Sequence, residues 1–438
     1  MRIRYIIALC LTVAASLASY AAEPLRLDVS QCREMALKAS EQMRGAENSR
    51  RIASLETKAA TTNYLPKIDA MATGTYMFQD MDMMGATLQM HGMYVAGFQL
   101  TQPVYTGGKI TAGRSLAKIG ERVAAEQQRM TRLDVVADVE TAYWNYVSVL
   151  GKVALMESYM NLMDTLMSHT ELAVEVGMTV RNDLLRVEAR RSEIVYQRQK
   201  VANGANLCRM ALCEAIGVDY DTEIIPLDSD ASGAPSPADV LDATPADRPE
   251  LRLLEEQVEA KRQMVKLTRG DFLPTVGLSV GYNWYGNIKL NTVVEVAPEM
   301  YVPYSQSFND KLGMAMIAVK VPLFHWGEGV RKVQKAKLEV ENARLELERN
   351  SRLLNLETRQ AEINVEDGFS MISSATLALE QAAENLRVTT ERHRERVCPL
   401  TDLLDAQAQW QQASANLIEA RAQYRIYLVA YLKATARL

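Results

Sequence analysis

Ser279 lies in Gly277-Leu278-Ser279-Val280-Gly281, a match to the G-x-S-x-G nucleophile elbow of serine hydrolases. The elbow needs a sharp turn from a buried strand into a helix, so that the serine stands clear of the sheet. The residues here alternate instead. Val276, Leu278, Val280, Tyr282 and Trp284 are apolar, while Thr275, Gly277, Ser279, Gly281 and Asn283 are small or polar. Period two predicts a strand with one apolar and one polar face. Ser279 then sits mid-strand on the polar face, and the motif does not predict a nucleophile.

The other residues able to do chemistry are scattered. His91, His169, His325 and His393 lack metal-ligand spacing. The sequence holds no H-E-x-x-H, P-loop or dinucleotide fingerprint. Cys208 and Cys213 are five apart in a helical pattern, which suits neither a disulfide nor a zinc site. With Cys32 and Cys398 they read as small buried thiols. The stretch 77–93 is rich in methionine and contains His91. Thioethers favour Cu(I), so it reads either as a flexible loop or as a soft-metal contact. The expectation is a protein that is no enzyme, with no cofactor and no assigned metal site.

What must position these residues follows from the rest of the chain. Residues 1–21 combine Arg2 and Arg4, an apolar run from Tyr5 to Leu17, and small residues at the cleavage position. This is the pattern of a secretory signal, too short for a spanning helix. Leu9 before Cys10 argues against lipidation. The formal net charge of -5 argues against nucleic acid as a partner. No proline falls between Pro103 and Pro226 or between Pro322 and Pro399, and both gaps read as helix. The segments 109–176 and 330–392 are each long enough for a rod of roughly 100 Å. Residues 219–250 hold five of the 13 prolines and read as a connector.

The connector joins two copies of one pattern, residues 22–218 and 251–438. "NYLPKIDAMATGTYMF" resembles "DFLPTVGLSVGYNWYG", and "NDLLRVEAR" resembles "TDLLDAQAQ". Pro103 to Pro322 and Asp183 to Asp402 are both shifts of 219, whereas the earlier Leu-Pro pair shifts by 208, which leaves 11 extra residues between the strands of the second copy. Each copy carries two alternating strands, with Tyr76, Phe78, Tyr94 and Phe98 on the apolar side of the first. Leu278, Val280, Tyr282, Trp284, Ile317 and Val319 stand on the apolar side of the second. Each pattern persists for about ten residues, the length of a transmembrane strand. The aromatic residues gather toward the hairpin ends, as a membrane girdle does. A membrane sheet must close on itself, and the smallest outer-membrane barrels have about eight strands. Four strands therefore require several chains to pool them, with the polar face toward a pore.

In signal, direct repeat, paired Leu-Pro strand starts and paired D-L-L stretches, the sequence resembles the TolC-like outer-membrane efflux protein family. The resemblance implies a mainly α fold with a β-barrel part. Each chain of a homotrimer would give four transmembrane strands to a twelve-stranded barrel, continued by a long α-helical coiled-coil tunnel in the periplasm. It implies outer membrane lipid, a periplasmic adaptor and an inner-membrane pump of RND or ABC type as partners. The function it implies is the passive exit duct of a tripartite efflux system for small toxic molecules in a Gram-negative bacterium. Export of a protein by type I secretion and a non-conducting coiled-coil envelope spacer stay open as alternatives.

The resemblance also assigns roles at the helix tips. Val176, Gly177 and Met178 match the adaptor-docking tip of the first copy, with Asp183 six residues after the glycine. The second tip departs from that pattern, with Arg396 in the glycine's place before Val397 and Cys398. Asp402 and Asp405 match the acidic ring of the periplasmic entrance. They also sit where Thr401 or Asp402 would cap a helix after Pro399. His393, Arg394 and Arg396, with Asp183, are the gate contacts the resemblance leaves.

Overall fold

The computed structural model describes residues 24–438 except 84–85, 229–232, 234, 242–246 and 299. The expected signal segment and parts of the connector lie outside the described residues. The chain forms β1 (Leu25–Leu27), α1 (Val29–Ala39), α2 (Glu41–Thr62), β2 (Lys67–Thr75), β3 (Met81–Met83), β4 (Ala86–Gln89) and β5 (Met93–Thr106). Then come α3 (Lys109–Glu175), α4 (Arg181–Ile216), β6 (Ile224–Pro226), α5 (Pro237–Leu241) and α6 (Pro249–Gly270). It ends with β7 (Thr275–Ala297), β8 (Met300–Lys320), α7 (Glu328–Arg394) and α8 (Leu400–Ala434). The proline-free gaps are helical as expected, because nothing in them removes a backbone donor or clashes with the preceding turn. Among the described residues no helix is long and apolar enough to cross a membrane.

The chain divides into two compact units, each drawing on both halves of the sequence. The first comprises the chain up to Glu47, Glu126–Arg252 and Arg349–Leu438. Its largest core packs Leu27, Cys32, Tyr143, Trp144, Leu212 and Ile216 beside the parallel pair β1–β6. Asp28 starts α1 with a capping box: its carboxylate accepts from the Gln31 backbone N–H at 2.7 Å, and Gln31 Oε1 accepts from the Asp28 N–H at 3.1 Å. Tyr143 is fully buried, and its hydroxyl donates to Asp228 Oδ2 at 3.0 Å. Burial of such a side chain contributes roughly 1.5–3 kcal/mol, provided its polar end is bonded. Burial pushes the Tyr143 phenol above its ordinary value and the Cys32 thiol up to about 12. Glu140 is also buried, and Arg33 Nε reaches its Oε1 at 2.5 Å. The four cysteines among the described residues are free; Cys32, Cys213 and Cys398 are buried, and Cys208 is half-buried.

The second unit comprises Asn48–Ala125 and Leu253–Glu348. It holds an antiparallel sheet ordered β2-β5-β7-β8, with the β3–β4 hairpin paired to the far half of β7. Lys109 Nζ bonds Asp271 at 3.1 Å where α3 starts and α6 ends, and Arg122 pairs bidentately with Glu256 at 2.6 and 2.7 Å. β7 and β8 run to 23 and 21 residues, far beyond the roughly ten read from the alternating patterns.

Candidate functional site

The register of the sheet fixes which side chains share a face, because directly opposed residues in antiparallel strands point the same way. Ala70 opposes Phe98, Phe98 opposes Tyr282, and Tyr282 opposes Gly313. In the same row system Ile68 meets Leu100, Leu100 meets Val280, Ala96 meets Trp284, and Leu278 meets Ile317. Val276 meets Val319, and Tyr94 lies opposite Gly286. The expected apolar positions on β5, β7 and β8 thus stand on one face of the sheet. Phe98 and Trp284 meet edge-on with centroids 6.1 Å apart, and Tyr282 and Trp284 at 4.9 Å, so the aromatic cluster sits at one level. Tyr76 and Phe78 follow β2 and have no ladder partner among the described residues; their rings meet at 5.4 Å, and Tyr76 stacks on His91 at 5.3 Å.

The opposite face carries Lys67, Asp69, Thr73, Gln99, Thr101, Ser279 and Asn283. Ser279 lies mid-strand between Thr101 and Met316, and its hydroxyl accepts from Gln99 Nε2 at 3.0 Å. No turn lifts it from the sheet, so the sequence match to a nucleophile elbow has no structural counterpart. In the methionine-rich stretch, His91 Nε2 contacts Asp80 at 3.1 Å. Among the described residues no group of His, Cys, Asp and Glu has the arrangement of a metal site.

Two helix tips form a second constellation, in the first unit. α3 ends in a left-handed turn at Gly177 (φ 69°), with Met178 N–H bonding Ala173 C=O at 2.7 Å and Gly177 N–H bonding Val174 C=O at 3.0 Å. α7 ends in the same way at Arg396 (φ 58°): Val397 N–H bonds Arg392 C=O at 2.7 Å, and Arg396 N–H bonds His393 C=O at 2.9 Å. Loss of glycine therefore does not abolish the turn; an arginine is held in it, at a cost of about 1–2 kcal/mol. Arg396 Nη2 also reaches Met178 Sδ at 3.3 Å, which joins the two tips. Beneath them Tyr159, Met163, Val187, Ile194, Leu400 and Leu403 form a core.

Val176, Met178 and Val397 are exposed at the tips, and Arg394 is exposed beside them. Cys398 is not on that surface; it is buried, with its thiol directed to Thr389 C=O at 3.5 Å. His393 Nδ1 lies 3.2 Å from Cys398 C=O. Asp183 is half-buried and accepts from Thr179 Oγ1 at 2.7 Å. Asp402 and Asp405 are both exposed on α8, with no hydrogen bond or ion pair to the described residues. The capping expectation needs correction: Pro399 is the N-cap, no side chain caps the helix, and Asp402 sits within the first turn. Its charge complements the helix dipole there without satisfying a backbone donor. Sequence reasoning missed the contact between Arg396 and Met178, whose only sequence signal was the repeat itself.

The chain is similar to known proteins in sequence and in fold. The family model described as "Outer membrane efflux protein" matches residues 32–208 and 240–437. The chain is 22% identical over 333 residues to "Outer membrane protein TolC" of Vibrio cholerae, covering 75% of this chain and 73% of that protein. It is 29% identical over 164 residues to "Toluene efflux pump outer membrane protein TtgF" of Pseudomonas putida, covering 36% of this chain and 33% of that protein. The fold is similar to the crystal structure of the outer membrane protein VceC from Vibrio cholerae, with a TM-score of 0.75 and 15% identity over 93% of this chain and 96% of that one.

Proposed function

We propose, from the premise that this chain belongs to the outer membrane efflux protein family, that three copies pool their strands into one duct. The chain is an outer-membrane efflux channel of a Gram-negative bacterium, and its work is transport, not catalysis. The observation that carries the proposal is the four-stranded two-faced sheet. One face is apolar, the other polar, and neither β2 nor β8 has a second strand neighbour among the described residues. Lipid cannot hydrate the unpaired N–H and C=O groups of such edges, so the sheet must close with other copies. Three chains give twelve strands, enough for a barrel with a polar lumen, with Tyr94, Phe98, Leu278, Val280, Tyr282, Trp284, Ile317 and Val319 toward lipid.

The exposed tips supply a second site. Val176, Met178 and Val397 offer an apolar docking edge to a periplasmic adaptor, which would connect the duct to an inner-membrane pump. Three copies of Asp402 and Asp405 would place six carboxylates around one entrance, a strong local cation site. Small toxic molecules are the cargo class, supported by the name of the toluene-pump relative. The test is mass measurement of protein extracted from the outer membrane in mild detergent. A detergent-resistant trimer is expected; a stable membrane monomer would contradict the shared barrel.

A further inference from the structure

The bulge in β7 divides the sheet into two tiers and exchanges the faces of β7 between them. β5 pairs with β7 only as far as Tyr94 opposite Gly286. Past that level β4 takes its place, with Gln89 opposite Lys289 and Ala86 opposite Thr292, and β3 pairs with β4. Both tiers therefore have four strands: β2-β5-β7-β8 below, and β3-β4-β7-β8 above. The lower tier alone matches the ~9–11 residues that cross a bilayer.

At the boundary Tyr285 opposes Asp310 and Ile288 opposes Phe308, so Gly286 and Asn287 together face Asn309. Asn287 takes a left-handed φ of 59°. Its N–H donates to Asn309 Oδ1 at 2.8 Å, and its Nδ2 donates to the carbonyls of His91 and Gly92 at 2.8 and 3.1 Å. The bulge is thus tied to β8 on one side and to the start of β5 on the other.

One inserted residue reverses the face of everything beyond it on the same strand. β8 has no insertion there, so its even-numbered residues keep one side throughout. Below the bulge that side carries Ser279 and Asn283 on β7, opposite Met316 and Leu312 of β8. Above it the same side carries Tyr304 and Phe308, which oppose Thr292 and Ile288. On β7 the even-numbered residues stand on the apolar face below, as Val280 and Trp284, but Ile288 and Leu290 lie on the opposite face above. The outer side of the upper tier carries Lys289, Asn291, Ser305 and Ser307, with Ser305 Oγ donating to Asn291 Oδ1 at 2.6 Å. The inversion has a physical reason: a sheet leaving lipid for water must present polar residues outward.

We propose that the upper tier rings the outer mouth of the duct with apolar side chains, chiefly Ile288, Leu290, Tyr304 and Phe308. The ring is a dewetting constriction against ions and hydrophilic solutes. This rests on the pooled trimeric barrel, so assembly is checked by mass in every preparation. Single cysteines are placed at Ile288, Lys289, Leu290 and Asn291 and labelled in intact cells with a bulky membrane-impermeant maleimide. The native cysteines among the described residues are buried or half-buried elsewhere in the fold. Lys289→Cys and Asn291→Cys should label severalfold faster than Ile288→Cys and Leu290→Cys. Equal or reversed labelling in a trimer of normal mass would overturn the inversion. Leu290→Ser with Phe308→Ser should raise single-channel conductance severalfold, whereas Lys289→Ser with Ser307→Ala should not. Unchanged conductance of a trimeric double variant would overturn the constriction. Should that variant fail to assemble, Leu290→Ser alone is recorded, and unchanged conductance of its trimer overturns the constriction.

Discussion

The two helix tips reach one backbone geometry from different side chains. At the first, Gly177 takes the left-handed position without strain, and Asp183 is held by Thr179. At the second, a shift of 219 puts Arg396 where Gly177 stands, Cys398 for Thr179 and Asp402 for Asp183. Arg396 is held in the same left-handed turn, Cys398 turns inward, and Asp402 and Asp405 have no partner among the described residues. Arg186 occupies the first-copy position that matches Asp405. The first tip is internally satisfied, and the second keeps two carboxylates for something outside its own helix pair. That asymmetry, within one duplicated scaffold, agrees with the acidic entrance proposed above.

The largest expected effect breaks the comparison at its charged end. Asp402→Asn with Asp405→Asn should lower cation selectivity and weaken block by multivalent cations by about tenfold, since a ring of charge concentrates counter-ions on that scale. Single-channel recording checks it, and a folded trimer with unchanged selectivity would leave these residues only a helix-dipole role. Leu403→Ala, which hollows the core under both tips, should cost about 2–5 kcal/mol in denaturant unfolding. Arg396→Gly should relieve strain and stabilise the second tip by about 1 kcal/mol, while Gly177→Arg should destabilise the first by a similar amount. Equal and negligible effects would mean the turns differ after all.

The smallest effect concerns a group outside the tips. The Cys32 thiol, raised by burial to about 12 from an ordinary 9, favours the folded state while both states are protonated. Its contribution is complete below pH 9 and is lost as pH rises from 9 toward 12, because the unfolded thiol ionises first. Maleimide labelling of Cys32 at pH 8 should accordingly require unfolding.

Much of this was legible in the sequence. The proline-free gaps predicted helices at 109–176 and 330–392, and the structure has Lys109–Glu175 and Glu328–Arg394. Alternation placed the apolar faces of β5, β7 and β8 correctly, because period two survives wherever the ladder is regular. It stopped too early in β7, since the bulge at Asn287 shifts the parity and the pattern ceases to read as one strand. The 11 extra residues of the second copy were the available signal for the longer hairpin. At the tips the glycine rule anticipated the first turn, but it had no means to foresee Arg396 in the same conformation, because tertiary packing overrides a local preference of only about 1–2 kcal/mol. The capping role offered to Thr401 or Asp402 depended on a one-residue boundary, which Pro399 settled.

Conductance of the purified protein in a planar bilayer tests the central claim most directly. If three chains pool their strands into a duct, particles of trimer mass should insert and give uniform ohmic steps, with selectivity governed by the tip carboxylates. Inserted trimers that carry no current would contradict the duct and leave a coiled-coil envelope spacer in its place.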